Sequence, residues 1–214
     1  MNKTLSRKIE NKKEVFAWSM YDFANQPFTN LVVTFIYGTF FTTVIASNEI
    51  EGTQQWSHAV SFTAIIVALL SPVMGAVADR GGYRKMFMFG FTWLTIISTT
   101  VLYFVLPGEV HRALFWFVIA NVGFEMGSVF CNAYLPDISH SKNIGRISGY
   151  GWSLGYVGGL IALALSMVFL VQAEVPIFGF GKGEGGTYEN IYNKFRNSTR
   201  YWDITGLIRR GGHT

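Results

Sequence analysis

Two acidic residues lie inside long apolar stretches of this sequence of 214 residues, where an isolated charge is costly. Asp22 is followed by Asn25 and Gln26, which share one face of a helix with it because they come three and four residues later. Glu125 lies near the middle of a separate apolar run. Carboxylates in such positions usually face a cavity or a partner, so both residues are candidates for contact with a polar solute or for proton coupling.

Asp22 and two asparagine candidates, Asn25 and Asn132, also have an alternative interpretation. Asp22 lies about two turns into its predicted helix, close enough to the surface to pair with Lys12 or Lys13. Asn25 and Asn132 are candidates for hydrogen bonds to a solute, and their alternative is a hydrogen bond between helices, a common use of asparagine in membranes. The sequence leaves both alternatives open.

The elements that must position these residues are apolar and helical. Half of the residues are apolar and only 14% are charged, compared with about 25% in a soluble domain. Each of five apolar runs reaches the ~20 residues that a helix needs to cross a bilayer. We therefore predict an all-α integral membrane protein in contact with the lipid bilayer, with about five membrane-spanning helices at residues 15–46, 57–78, 86–106, 113–135 and 148–173.

Pro27 separates the polar first half of the first predicted span from its second half, residues 28–46, which is almost entirely apolar. Proline removes a backbone hydrogen bond, so a kink is expected directly after the cluster around Asp22. A kinked, locally polar helix is typical of a span that lines a cavity.

Lysine and arginine are distributed unevenly between the predicted loops. Ten of them lie in residues 1–14 and in the loops after the second and fourth spans, whereas Arg112 alone lies in the two loops on the other side. Because positive residues tend to stay on the cytoplasmic side, we predict that residues 1–14 form a cytoplasmic, basic amino terminus. Five spans then place residues 174–214 outside, as a polar loop.

Several classes of site are not indicated by the sequence. The four histidines lie far apart without metal-ligand spacing, and no nucleophile–base set or Walker-type nucleotide motif is found. We therefore expect no metal, no cofactor and no enzymatic activity. The basic residues lie at span ends rather than on one polar face, which argues against nucleic acid as a partner.

A glycine-rich basic hairpin joins the second and third predicted spans. Its pattern, Gly-x-x-x-Asp-Arg-x-Gly-x-Arg-Lys, is formed by Gly75, Asp79, Arg80, Gly82, Arg84 and Lys85. This pattern resembles the loop between the second and third helices of the major facilitator superfamily of transporters, although Tyr83 stands where that superfamily usually has Arg or Lys. The resemblance implies a gate, in which the aspartate meets a helix of the other half of the transporter. The alternative is that the cations only hold the loop on the cytoplasmic side.

Three further stretches, residues 17–25, 131–138 and 145–159, narrow the resemblance to the vacuole-effluxer, autophagy-22-like branch of that superfamily. Fungal members of the branch are linked to amino-acid efflux from the vacuole. The resemblance implies secondary transport of a small solute, such as an amino acid, by alternating access, with a proton as a candidate coupling ion. It implies the cell inner membrane for a bacterial chain and the vacuolar membrane for a fungal one.

The superfamily has twelve spans in two halves of six, whereas five are predicted here. We therefore expect an incomplete transporter that lacks its carboxyl-terminal half and is inactive alone. Residues 174–214 contain no run of the ~20 apolar residues that a sixth span needs. Their final ~15 residues are expected to be the non-native tail of a truncated or frame-shifted product.

Gly151, Gly155 and Gly159 recur every four residues, so they share one face of the fifth predicted helix. Small residues at this spacing let two membrane helices approach closely, and we predict a helix-packing role for them. The same face supports an alternative function for the chain, as a non-transporting membrane fragment or an accessory protein that packs against another membrane protein.

Overall fold

A computed structural model describes residues 12–140 and 142–168 of the protein. All regular structure in these residues is helical, which confirms the all-α prediction. The chain divides into two compact units, Met1–Leu163 and Ala164–Thr214, and the contacts of the candidate site lie within the first. In chain order the elements are α1 (Lys12–Pro27), a π-helical segment (Phe28–Phe35), α2 (Tyr37–Phe40), a second π-helical segment (Phe41–Ile45), α3 (Glu49–Gly81), α4 (Arg84–Leu102), α5 (Val110–Asn132), α6 (Leu135–Ile138) and α7 (Ile144–Ser166).

Within the described part of the chain, the helices that are long and apolar enough to cross a membrane are Lys12–Ile45, Glu49–Gly81, Arg84–Leu102 and Val110–Ile138. They coincide with the first four predicted spans and make the chain a multi-pass membrane protein. Helix α7 covers residues 148–166 of the fifth predicted span, residues 148–173. Residues 169–173 of that span and residues 174–214 lie outside the described residues, so the fifth span and the polar loop after it remain predictions.

Helix α3 begins at Glu49, eight residues before the predicted start of its apolar run. The Glu51 backbone N–H donates to the Asn48 side-chain oxygen at 2.8 Å, which satisfies one of the free N–H groups at the helix start. Two glutamates in the first turn are also favoured there by the positive end of the helix dipole. Capping chemistry therefore decides where this helix begins, and the apolar pattern marks only its membrane part.

The first membrane helix changes geometry where Pro27 predicted a kink. The backbone is π-helical from Phe28 to Phe35, and the Ile36 N–H donates to the Leu31 carbonyl at 3.1 Å, five residues back. Such wide turns are rare in proteins and occur frequently at functional sites. The polar residues of α1 thus lie just before an irregular part of the same span.

Helix α5 is the central packing element, and it contacts both α3 and α4. Glycines allow the close approach of α4, because a Cβ at Gly123 would lie 2.7 Å from the Thr95 hydroxyl oxygen. The Thr95 hydroxyl lies 3.0 Å from the Phe91 carbonyl and 3.3 Å from the Ala120 carbonyl. The side chain therefore satisfies its own polar group and ties α4 to α5.

An aromatic cluster closes the end of the bundle at which α3 and α5 begin. The ring of Trp56 lies 3.9 Å from that of Phe117 and 5.2 Å from that of Phe41, measured between centroids. The Gly108 N–H donates to the Ile45 carbonyl at 3.1 Å, which joins the loop before α5 to the end of the second π-helical segment. Helices α3 and α5 therefore start at the same side of the bundle and run parallel.

Candidate functional site

Two side-chain hydrogen bonds tie the polar face of α1 to α5. The Trp18 indole N–H donates to the Cys131 carbonyl at 2.9 Å in a buried contact. About two turns further along α1, the Asn25 amide N–H donates to the Ser128 hydroxyl at 3.1 Å. Asn25 thus makes the interhelical bond that was its alternative interpretation, and a contact with solute remains a prediction for it.

A third link joins α1 to α4. The Thr92 hydroxyl donates to the Met88 carbonyl at 2.8 Å, so its single proton is already used. Tyr21 lies 2.9 Å from that hydroxyl and therefore acts as the donor in this pair. Gly127 of α5 leaves room for the phenol, because a Cβ there would lie 2.8 Å from the Tyr21 oxygen. Tyr21 was not a candidate in the sequence, where it is one aromatic residue among many.

Helix α7 passes directly over Asp22. A Cβ at Gly151 would lie 2.8 Å from the Asp22 carboxylate oxygen Oδ2 and 2.5 Å from a ring carbon of Trp18. At Gly155 the nearest atom would be the Asp22 Cβ at 3.6 Å, an ordinary van der Waals distance. The two glycines therefore bring the backbone of α7 against the carboxylate, with Gly151 in the tighter contact.

This contact surface between α1 and α7, which we call the seam, continues along both helices. A Cβ at Gly159 would overlap the Asn30 amide and lie 3.2 Å from Gln26, which is four residues after Asp22. Gly158, which the spacing argument did not select, packs most closely on the Phe23 carbonyl. The Gly158–Gly159 doublet is the sequence signal for this contact, since two adjacent small residues widen the smooth face of a helix.

Asp22 is half-buried and makes no hydrogen bond or ion pair with any described residue. Lys12 and Lys13 are exposed at the start of α1. A partly buried carboxylate without a partner is unfavourable unless a proton or a cation compensates it. Within the described residues, no positive charge compensates this carboxylate.

Glu125 and Asn132 are both exposed and seven residues apart, so they lie on one face of α5. Neither side chain bonds to another residue in the described ranges. Phe124, beside Glu125, stacks on Phe28 with ring centroids 5.0 Å apart. Glu125 therefore lies close to the level of Phe28, and Asn132 lies about 10 Å further along α5.

The basic hairpin is organised around Arg84. Its Nε donates to Asp79 at 2.7 Å, and its Nη1 donates to Asp137 at 2.9 Å and to the Ala133 carbonyl at 3.3 Å. These bonds join the end of α3, the start of α4 and the connection after α5. Sequence reasoning selected Arg84 and Asp79 but missed Asp137, which lies 53 residues beyond Arg84 and carries no local signal.

The other hairpin residues have different surroundings. Gly82 has a left-handed backbone with φ of +67°, which ends α3 and requires glycine. No atom lies within 4 Å of a Cβ built at Gly75, and Arg80 and Lys85 are exposed. The predicted gate contact of Asp79 with another half of a transporter remains a prediction. Among the described residues, no three His, Cys, Asp or Glu side chains are grouped to hold a metal ion.

The helices and the hairpin define a membrane protein of the major facilitator type. Residues 48–179 match the family described as vacuole effluxer Atg22 like, and the chain belongs to that family. This confirms the resemblance drawn from the motifs of the sequence. No solved structure gives a significant match.

Individual relatives are found in bacteria and fungi. The chain is 28% identical to the uncharacterized MFS-type transporter YxiO of Bacillus subtilis, over 77% of this chain and 40% of the relative. It is 31% identical to an uncharacterized protein of Aquifex aeolicus, over 77% of this chain and 41% of the relative. It is 34% identical to autophagy-related protein 22 of Coccidioides immitis, over 37% of this chain and 13% of the relative. The chain thus spans about two fifths of the length of the first two relatives.

Proposed function

We propose that the chain supplies the amino-terminal membrane helices of a secondary transporter that moves a small polar solute by alternating access, with amino acids as the first class to test. The observation that carries this proposal is the half-buried carboxylate of Asp22, which has no partner among the described residues. Membership of a family described as effluxers supports it. An amino-acid ammonium group would supply the positive charge that this carboxylate lacks.

The proposed mechanism gives each carboxylate a separate role. Asp22 binds the ammonium group of the solute at the seam between α1 and α7. Glu125, exposed on α5, takes up and releases the coupling proton, and Asn132 extends the polar face of that helix. Arg84 holds the ends of α3, α4 and α5 together, so that these helices move as one body when the transporter rocks.

The proposed orientation places the amino terminus and the Arg84 hairpin in the cytoplasm, following the distribution of lysine and arginine. The short loop directly before α3 and the loop between α4 and α5 then lie on the opposite side. The membrane is the inner membrane for a bacterial chain and the vacuolar membrane for a fungal one.

Solute binding tests the proposal without requiring a complete transport cycle. The purified chain in detergent is incubated with each tritiated amino acid, and bound label is measured by scintillation proximity. We expect at least one amino acid to bind and Asp22→Asn to weaken it about 10–100-fold, since hydrogen bonds to charged groups contribute about 1.5–3 kcal/mol.

Glu109→Gln is the matched control, because Glu109 pairs with Arg112 at 3.1 Å outside the seam. Its binding should equal that of the unmodified chain. Binding of no amino acid would refute the proposed solute class. Equal binding by Asp22→Asn and the unmodified chain would refute the proposed site.

A further inference from the structure

A groove of about 890 Å³ runs between α3 and α5. Its size is within the ~300–1,000 Å³ that small-molecule sites usually have. Gln55, His58 and His111 line its polar end. The rest of its lining is apolar apart from Ser61 and includes Phe62 and Ile66 of α3 and Val118 of α5.

The polar end of the groove coincides with one boundary of the membrane. His111 is the second residue of α5, and His58 lies where the apolar run of α3 begins at residue 57. The α3 lining extends from Gln55 to Ile66, which is about 16 Å along the helix. The groove therefore starts at the level of lipid headgroups and continues into the hydrocarbon region.

The polar end contains hydrogen-bonding groups without partners. Both imidazoles are exposed and make no hydrogen bond or ion pair with any residue that the structure describes. The Gln55 carbonyl oxygen is buried and also has no hydrogen-bond donor within that part of the chain. Ser61 is satisfied, since its hydroxyl donates to the Ser57 carbonyl at 2.9 Å. A ligand here must accept hydrogen bonds from imidazole and donate one to an amide oxygen.

Neither lysine nor arginine lines the groove, so the choice of ligand depends on its hydrogen-bonding groups. No carboxylate lines it, so an ammonium group would find no ion-pair partner. The nearest acidic residue in sequence to His111 is Glu109, whose carboxylate is held by Arg112 at 3.1 Å. Two imidazoles without a neighbouring carboxylate are suited to a phosphate group.

We propose that this groove binds a membrane phospholipid with a phosphatidylglycerol-type headgroup. The phosphodiester oxygens accept hydrogen bonds from His58 and His111, and a glycerol hydroxyl donates to the Gln55 carbonyl. One acyl chain lies along the apolar part of the groove, past Phe62 and Val118. This site is separate from the seam at Asp22 and does not depend on the proposed solute.

Native mass spectrometry of the full chain in detergent tests the site. The chain is titrated with palmitoyl-oleoyl phosphatidylglycerol and, in parallel, with the diacylglycerol of the same acyl chains, which lacks the phosphate. We expect one molecule of phosphatidylglycerol to be retained and the diacylglycerol to bind at least tenfold more weakly. The His58→Ala/His111→Ala double variant should lose the same factor for phosphatidylglycerol and none for diacylglycerol.

Two further variants serve as controls, one outside the groove and one that fills its apolar part. His140→Ala removes an exposed histidine outside the groove and should bind phosphatidylglycerol as the unmodified chain does. Val118→Trp fills the apolar part of the groove and should weaken both lipids. Circular dichroism of every variant verifies that the helices are retained. Equal retention of the two lipids by the unmodified chain would overturn the proposal, as would full retention of phosphatidylglycerol by the double variant.

Discussion

Replacing Gly158 with alanine should destabilise the seam between α1 and α7. The new Cβ would overlap the Phe23 carbonyl, which is backbone and cannot turn aside, so α7 must move. Overpacking of this kind costs about 1–3 kcal/mol, of which alanine recovers about 1 kcal/mol through its higher helix propensity. We expect a net loss of up to about 2 kcal/mol, which lowers the melting temperature by at most roughly 8 °C, since ~1 kcal/mol corresponds to roughly 2–4 °C in a chain of this size.

Gly155→Ala is the matched control on the same helix. Its Cβ would have ordinary contacts at 3.6 Å and 3.8 Å with Asp22, so only the gain in helix propensity remains. The melting temperature should stay constant or rise by roughly 2–4 °C. Both variants are measured by circular dichroism during heating in detergent, with recovery verified by size-exclusion chromatography. If the two variants have the same melting temperature, or if Gly155→Ala is the less stable, the close contact at Gly158 does not exist as described.

Two further changes test contacts elsewhere in the bundle. Arg84→Gln removes the ion pairs with Asp79 and Asp137. Because these pairs are partly exposed, the free energy of unfolding should fall by less than about 1 kcal/mol, while hydrogen exchange should become faster at residues 133–138. Unchanged exchange at those residues would contradict the bridging role of Arg84. Trp56→Phe keeps an aromatic ring but loses the hydrogen bond from the indole to the Val33 carbonyl at 3.2 Å. The melting temperature should therefore fall by roughly 2–4 °C. An unchanged melting temperature would show that this bond contributes nothing to stability.

The parts of the fold that follow from local chemistry could be predicted from the sequence. Apolar runs of membrane length located the first four spans, because the bilayer imposes both length and composition. Pro27 located the change of geometry in the first helix, but not its π-helical form, which depends on how the following eight residues pack. The start of α3 at Glu49 was missed because a cap at Asn48 extends the helix beyond the apolar run.

The candidate site also combines features that the sequence predicts with features that only the folded chain determines. Regular spacing selected Gly151 and Gly155, since a repeat of four residues defines one helix face in any context. Which helix that face meets, and that Asp22 lies beneath it, are properties of the folded chain. The bond from Arg84 to Asp137 joins residues 53 positions apart and was likewise out of reach, because no local pattern encodes which distant carboxylate a guanidinium will meet.

The seam between α1 and α7 has a consequence for motion. Helices usually interlock through ridges and grooves of side chains, which resist sliding. Here α7 presents glycine backbone, and the glycines at 151, 155 and 159 repeat every four residues, which is about 6 Å along the axis. A slide of α7 by one such step would bring Gly155 to the place that Gly151 now occupies over Asp22, but it would also bring Ala162 to the place of Gly158, where a Cβ overlaps the Phe23 carbonyl. The glycine repeat alone would allow two registers, and the close contact at Gly158 selects one of them, so α7 is held in a fixed position along α1.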